Sequence, residues 1–148
     1  MTRNRESAKK AGADLEIGQE AYWREKLQQP YIYRGKAQGE FDKGDILAVE
    51  PWADRGPLTI ECKNVAKMAL GTWWKEAERE RLNNVRIIWK PTGTARVQKP
   101  EEHPSPAAVV IHKRRGFDAK KQPGKQWLTM TVEEFIAIIT GNRDHITD

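Results

Sequence analysis

The sequence predicts an α/β fold in which a mixed β-sheet is flanked by helices. Three segments show helical spacing of apolar residues, and short apolar runs between them are typical of strands. Their order along the chain, with strands on both sides of a central helix, favours helices packed on a sheet. With 148 residues and 38% hydrophobic content, the chain is expected to form one domain, residues 1–148.

The first third of the chain predicts one long helix and one short strand. Apolar residues recur at near-helical spacing over residues 5–27, although Gly12 and Gly18 favour a break. A short Tyr/Ile strand at 31–33 follows. Residues 34–44 contain several glycines and are predicted to form a loop.

The middle of the chain predicts a hairpin, a helix and a further strand. Residues 46–50 and 57–63 are short apolar runs separated by a Gly- and Pro-containing turn, which is typical of an antiparallel hairpin. An apolar stripe over residues 65–82 predicts the clearest helix. Residues 85–90 are predicted to form a buried strand.

The last third predicts two strands and a closing helix. Residues 107–113 and 127–130 have the composition of strands. Thr131 precedes an apolar helical stripe and Glu134 follows three residues later, which is a capping-box pattern. The remaining segments are predicted to be two loops and a frayed tail: residues 91–106, 114–126 and 141–148.

The hairpin carries the residues that point most directly to a reaction. Glu61 and Lys63 lie two residues apart on a strand and point to the same face. Antiparallel pairing that puts Leu47 near Glu61 brings Asp45 close to Lys63. Carboxylates are ligands for Mg²⁺, and a nearby lysine can orient water or offset charge at phosphorus. The pattern predicts a divalent-metal site for phosphodiester hydrolysis.

The charge of the chain predicts a polyanionic partner. The formal net charge is +5 and the pI is near 9.4. Residues 107–125 alone hold six Lys/Arg and one Asp. A solvated basic loop is the simpler alternative. Under the DNA-binding interpretation, the candidate phosphate contacts are Lys9, Lys10, Arg34, Lys36, Lys43, Lys113, Arg114 and Arg115.

Several classes of protein are disfavoured by composition. One cysteine excludes a disulfide framework, and one cysteine with three scattered histidines disfavours a zinc finger. No apolar run reaches the roughly 18–20 residues of a membrane span. The basic first residues lack the apolar core of a secretory signal. We therefore expect a cytoplasmic protein without a membrane partner.

The hairpin residues resemble a known nuclease superfamily. Asp45, fifteen intervening residues and then Glu61-x-Lys63 are similar to the pattern of the PD-(D/E)xK nucleases. That resemblance implies a restriction-endonuclease-like core. Gly44 stands where the superfamily often has a proline before the first catalytic Asp.

A narrower resemblance is to the phage and archaeal-type Holliday junction resolvases. The block IECKN is followed by a Trp-rich helix, GTWWKEAERER, and by a basic strand end, VVIHKRRG. The resemblance implies a Mg²⁺-dependent endonuclease, with Mn²⁺ as a substitute, that hydrolyses phosphodiesters at four-way junctions. It also implies a homodimer on branched DNA, no organic cofactor, and a bacteriophage source acting in the host-cell cytoplasm. The 34–44 loop shows no clear Gly-Ser pair of the archaeal type.

Further site residues follow from the resemblance. An acidic residue of the first helix joins the metal site in such enzymes, which indicates Glu16, with Glu20 as the reserve candidate and Asp14 as the less favoured one. The backbone carbonyl of Cys62 is expected to coordinate the metal. The predicted catalytic residues are then Asp45, Glu61, Lys63 and Glu16, and the predicted metal ligands are Asp45, Glu61 and Cys62.

Two alternatives remain open from the sequence. One is a restriction, repair or nicking nuclease that acts on linear, flapped or damaged duplex DNA. The other is a non-catalytic DNA-binding module in which the hairpin residues form a surface ion cluster. Trp52, in the hairpin turn, is a candidate wedge for a branched junction. Trp73 and Trp74 are expected to lie in the core or on a dimer surface. His112 is expected to contact a phosphate and not to act as a general base.

Overall fold

The computed structural model describes residues 4–91, 93 and 98–147. In chain order its elements are α1 Arg5–Leu27, β1 Tyr33–Arg34, β2 Ile46–Leu47, β3 Thr59–Lys63, α2 Leu70–Asn83, β4 Val85–Pro91, β5 Gln98–Pro104, β6 Ala108–His112, β7 Trp127–Thr129 and α3 Val132–Thr140. Five strands form a sheet in the order β1-β2-β3-β6-β7, and β4 pairs with β5 separately. The β3–β6 pair is parallel and the other pairs are antiparallel. The predicted α/β fold with a mixed sheet is therefore confirmed.

The first helix continues through both glycines. Asn4 caps it, because its Oδ1 accepts a hydrogen bond of 2.8 Å from the Ser7 amide. At Gly18 an added Cβ atom would lie 2.2 Å from the Ala119 carbonyl oxygen. The glycine thus allows the 118–122 turn to approach α1 closely, and the predicted break does not occur. Among the helices in the described part of the chain, none has the length and hydropathy needed to cross a bilayer.

The hairpin is antiparallel, but its register differs from the prediction by two residues. Ile46 lies opposite Ile60, and the Asp45 amide donates to the Ile60 carbonyl at 2.8 Å. Ala48 has a left-handed φ of 63°, which ends β2 after two residues. Because side chains alternate along a strand, a shift of two residues leaves every side chain on its predicted face. Asp45 consequently lies beside Glu61.

The two faces of the sheet are covered by different helices. On one face, Trp73 and Ala77 of α2 pack against Ala108 and Val110 of β6. The other face forms the larger core with α1 and α3, and its main side chains are Leu15, Ile32, Ile46, Val49, Leu58, Ile60, Val109, Ile111 and Ala137. Because β3 is central and covered on both sides, the polar side chain of Glu61 near its end is almost fully buried.

The second helix starts later than predicted, and the predictions for the next two segments are only partly right, although residues 85–90 do form a strand. The second helix begins at Leu70 instead of residue 65. The strand at 85–90 was predicted to be buried, yet β4 lies outside the main sheet with Ile87 56% exposed. The predicted loop at 91–106 contains β5, in which Glu102 pairs with Ile87. The Pro/Glu-rich composition of β5 disfavours a strand, and pairing with β4 overrides it. Residues 92 and 94–97 of that loop lie outside the described residues.

The C-terminal region is anchored more firmly than predicted. Thr131 Oγ1 accepts from the Glu134 amide at 3.2 Å, as the capping pattern predicts. The buried Glu134 carboxylate accepts from the Ala108 amide at 2.9 Å and pairs with Arg143 at 2.7 Å. Arg143 also donates to the Pro106 carbonyl. The expectation of a frayed tail over 141–148 therefore fails at Arg143, since a buried charge pair holds it. The predicted 114–126 loop contains turns and one 3₁₀ turn, Pro123–Lys125.

The turn tryptophan is a structural residue. Trp52 Nε1 donates to the Ile138 carbonyl of α3 at 3.1 Å. The indole ring also packs beside Gly141, at which an added Cβ atom would lie 3.0 Å from the ring. The ring therefore joins the hairpin turn to α3. This position is incompatible with the exposed wedge that the sequence suggested.

Candidate active site

The hairpin places two carboxyl groups side by side. Asp45 directly precedes β2, and its Oδ2 accepts from the Cys62 amide at 2.7 Å. Glu61 lies on the adjacent strand β3 and is only 5% exposed. The backbone hydrogen bond fixes the Asp45 side chain beside the end of β3. Two acids from separate strands are thereby held at one end of the sheet.

Lys63 is bound directly to this pair. Its Nζ atom lies 2.8 Å from Glu61 Oε1 and also forms an ion pair with Glu76 of α2. Burial lowers the pKa of Lys63, but the hydrogen bonds and charges of Glu61 and Glu76 outweigh burial and raise the pKa above its ordinary value. The lysine is therefore a fixed positive charge beside the acids across the physiological pH range.

Glu80 is a further acid at this position, and it was not among the predicted site residues. It projects from α2, is 5% exposed, and interacts with Glu61. The available signal was its spacing, because Glu80 follows Trp73 by seven residues and Ala77 by three, on the buried stripe of the helix. An acid on the buried stripe indicates a partner inside the fold.

The pKa values of these acids are raised well above the ordinary range. Burial and then the charge of Glu61 raise the pKa of Asp45 to about 7. Burial and then the neighbouring carboxyl group of Glu80 raise the pKa of Glu61 to about 8. Burial also raises the pKa of Glu80 to about 7. Carboxylates crowded in this way are stabilised by a proton or by a bound cation.

The first helix contributes Glu16 and not its neighbours. Burial and the charge of Asp45 raise the pKa of Glu16 to about 7, and Arg34 Nη2 lies 3.9 Å from its carboxylate. Glu20 instead accepts from the Arg34 amide at 2.7 Å. Asp14 pairs with Lys10 at 3.0 Å and with Lys120 at 3.5 Å. Among the three candidates, Glu16 is the one whose electrostatic environment includes Asp45.

The donor atoms suit a hard divalent cation. Within residues 4–91, 93 and 98–147, no three carboxylate, imidazole or thiol groups are arranged to enclose a metal ion. The chemistry nevertheless fits, because Glu61 Oε2 and Glu80 Oε2 are buried and have no hydrogen-bond donor among the described groups.

Burial raises the pKa of the Cys62 thiol, which disfavours a thiolate ligand. Its carbonyl points to the same strand edge as that of Ile60, the edge on which Asp45 lies.

The predicted DNA-contacting residues have three kinds of surroundings. Lys113 and Arg115 line one cleft together with the catalytic candidate Lys63, and Arg34 lies beside Glu16. The Arg114 guanidinium instead stacks on Phe117 and Trp127, at 4.2 and 4.3 Å from the ring centres. The other predicted basic residues are exposed, and Lys10 pairs with Asp14: Lys9, Lys10, Lys36 and Lys43.

Comparison with models of protein families, with curated proteins and with solved structures finds no match to this chain. The function must therefore be inferred from the site itself. That site combines Asp45, Glu61 and Glu80 with a fixed cation, Lys63, and lies beside a basic cleft.

Proposed function

We propose that the protein is a metal-dependent DNA endonuclease that hydrolyses phosphodiesters at four-way junctions. The observation that carries this proposal is the convergence of Asp45, Glu61 and Lys63 at one end of the β2–β3 pair. Two carboxylates and a lysine in contact supply both a cation site and a positive charge for the reacting phosphate. Glu80 adds an acid to the same cluster.

The architecture supports the resemblance to the PD-(D/E)xK nucleases. The acids and the lysine lie on the antiparallel part of a mixed sheet that has helices on both faces. This arrangement is compatible with the restriction-endonuclease-like core that the sequence resemblance implies. We propose that the chain belongs to that superfamily and to its junction-resolving branch.

The proposed mechanism assigns a role to each group. Oxygen atoms of Asp45 and Glu61, together with the Cys62 carbonyl, would hold Mg²⁺ or Mn²⁺. The bound ion supplies Lewis-acid polarisation of the phosphoryl oxygen and a water of lowered pKa. The raised pKa values of Asp45 and Glu61 mean that these groups release protons when the cation binds. Lys63 remains protonated and is held by Glu61, so that it offsets charge that develops at phosphorus.

A four-way junction has near two-fold symmetry and needs two matched cuts, so we propose a homodimer. The exposed face of α3 offers a surface for this association. Val132, Phe135, Ile136 and Ile139 follow a helical i, i+3, i+4, i+7 pattern and are all exposed. This face lies at the Trp52 end of the sheet, away from the acids, so that pairing through it leaves both sites open to DNA.

The test compares wild-type protein with Glu61→Gln on a mobile four-way junction and a matched linear duplex, each with and without Mg²⁺. Glu133→Gln is a matched control, because Glu133 is an exposed acid on α3. Symmetric Mg²⁺-dependent nicks in the junction alone, lost in Glu61→Gln and kept in Glu133→Gln, are expected. Equal cutting of both substrates would favour a duplex nuclease. Binding without cleavage would overturn the nuclease proposal and favour a DNA-binding module.

A further inference from the structure

A cleft of about 460 Å³ opens beside the acid cluster, on the side of Lys63. Its walls include Lys63, Val65, Met68, His112, Lys113 and Arg115. We propose that this cleft binds one unpaired nucleotide of the DNA, with the base against the apolar wall and the phosphate against the basic wall. This inference rests on the proposed function, because it names the DNA feature that the same site selects.

The apolar wall comes from the segment between β3 and α2. The sequence predicts helix from residue 65, but the helix begins at Leu70. The non-helical segment leaves Val65 52% and Met68 60% exposed at the mouth of the cleft. Base faces are apolar and pack on such side chains, and methionine adapts to irregular surfaces. A base stacked there would cover both side chains.

The basic wall is the end of β6 and the turn that follows. The Lys113 amide donates to the Lys63 carbonyl at 3.1 Å, which continues the β3–β6 pairing and fixes Lys113 beside Lys63. Arg115 is exposed at the same rim. Two cations on a supported turn are suited to one phosphate group. The apolar and basic walls face the same space, as a nucleotide with a base and a phosphate requires.

The floor of the cleft holds a buried imidazole that has spare hydrogen-bonding capacity. His112 is 6% exposed, and its ring is tilted against Trp73 with the ring centres 5.7 Å apart. The Nε2 atom lies 2.7 Å from Thr129 Oγ1, whereas the buried Nδ1 atom has no hydrogen-bond partner among the described groups. An unpaired buried polar atom is costly, and the polar edge of a base would supply a partner.

Lys63 belongs both to the cleft and to the acid cluster. A nucleotide in the cleft would therefore be adjacent to the phosphodiester that reacts. Extruding a base from a paired duplex costs a few kcal/mol, whereas a base near a branch point or a bulge is already unstacked. The cleft would thus select branched or unpaired DNA without reading its sequence.

The test measures binding without catalysis. A duplex with one unpaired 2-aminopurine nucleotide and the same duplex fully paired are titrated with protein in EDTA, and fluorescence is followed. We expect wild type to bind the unpaired form about tenfold more tightly. Met68→Ala and Arg115→Gln, both at exposed positions, should each reduce that preference at least about threefold. Lys121→Gln, which removes an exposed charge elsewhere, should leave the preference unchanged.

Equal affinity of wild type for the two duplexes would overturn the cleft assignment. A preference that survives Met68→Ala and Arg115→Gln would also overturn it. Because the assay contains no metal, its result is separable from the nuclease proposal. Protein that prefers the unpaired nucleotide but cuts no DNA would contradict only the proposed activity, and protein that cuts junctions without this preference would contradict only the cleft.

Discussion

Glu61 of β3 and Glu80 of α2 are two interacting carboxyl groups, buried between the sheet and its covering helix. Burial and then this interaction raise the pKa of Glu61 to about 8, so a proton on the pair is favoured at neutral pH. Both are almost fully buried. In the absence of a cation the pair therefore retains a proton, and loss of that proton leaves two negative charges in contact. Cation binding and proton release are coupled at this position.

The first prediction concerns pH and the metal-free protein. The pKa values of Glu16, Asp45 and Glu80 are raised to about 7, and that of Glu61 to about 8. The folded protein therefore binds more protons than the unfolded chain between roughly pH 4 and 8, and its free energy of unfolding falls as pH rises through this window. We expect a higher Tm at pH 5 than at pH 8 in EDTA.

Glu61→Gln is the matching variant for this titration. It removes the group with the highest raised pKa of the four acids, so its decrease in Tm between pH 5 and pH 8 should be smaller than that of wild type. Thermal unfolding followed by circular dichroism provides the measurement. A wild-type Tm that stays level or rises over this range would show that the acids are not destabilised as described.

The second prediction concerns Glu80. Glu80→Gln removes a carboxylate that raises the pKa of Glu61, so the metal-free variant should have a higher Tm than wild type at pH 8. The same change removes a cation-attracting charge, and Mg²⁺ affinity should fall about tenfold. Calorimetric titration with Mg²⁺ measures the affinity, with Glu133→Gln as the control for loss of an exposed acid. Unchanged Mg²⁺ affinity would exclude Glu80 from the cation site.

The third prediction separates two glycines of the same helix. Gly18→Ala places a methyl group against the Ala119 carbonyl, which is backbone and cannot rotate away, and should cost about 1–3 kcal/mol of unfolding free energy. Gly12 has open space around it, so Gly12→Ala should stabilise the protein by about 0.5–1 kcal/mol. Urea denaturation measures both. Equal effects of the two substitutions would contradict the close packing of α1 on the 118–122 turn.

The fourth prediction concerns association through α3. Val132→Lys and Ile139→Lys, made together, place charges on the exposed apolar stripe and should convert a dimer to a monomer without changing secondary structure. Glu133→Lys, also exposed on α3 but outside the stripe, is the control. Light scattering coupled to gel filtration gives the mass. A monomeric wild type, or a double variant that remains dimeric, would reject this interface.

Patterns that depend on local sequence predicted much of the fold. The N- and C-terminal helices lie where the apolar periodicity and the Thr131 cap indicate, because both features depend only on residues close together in the sequence. Alternation along β3 correctly grouped Glu61 with Lys63. The hairpin register was wrong by two residues because Ala48 adopts a left-handed conformation that residue type does not announce.

The remaining differences come from contacts between distant segments. Pairing with β4 makes β5 a strand despite its Pro- and Glu-rich composition. Trp52 is held against α3 because its indole donates a hydrogen bond to the carbonyl of Ile138, which lies more than eighty residues later in the chain. Glu80 became part of the site because α2 covers the face of β3 that carries Glu61. Helical spacing places Glu80 on the buried stripe of α2, but the sequence does not show which groups of the sheet contact it there.

The central claim is that Asp45 and Glu61 form the centre of a metal-dependent nuclease. The most direct test is the single-turnover rate of four-way-junction cleavage in Mg²⁺ by Asp45→Asn, with folding verified by circular dichroism and Glu133→Gln as the control. We predict a rate at least about a hundredfold below wild type for Asp45→Asn and an unchanged rate for the control. A folded Asp45→Asn protein that cleaves the junction at the wild-type rate would contradict the claim.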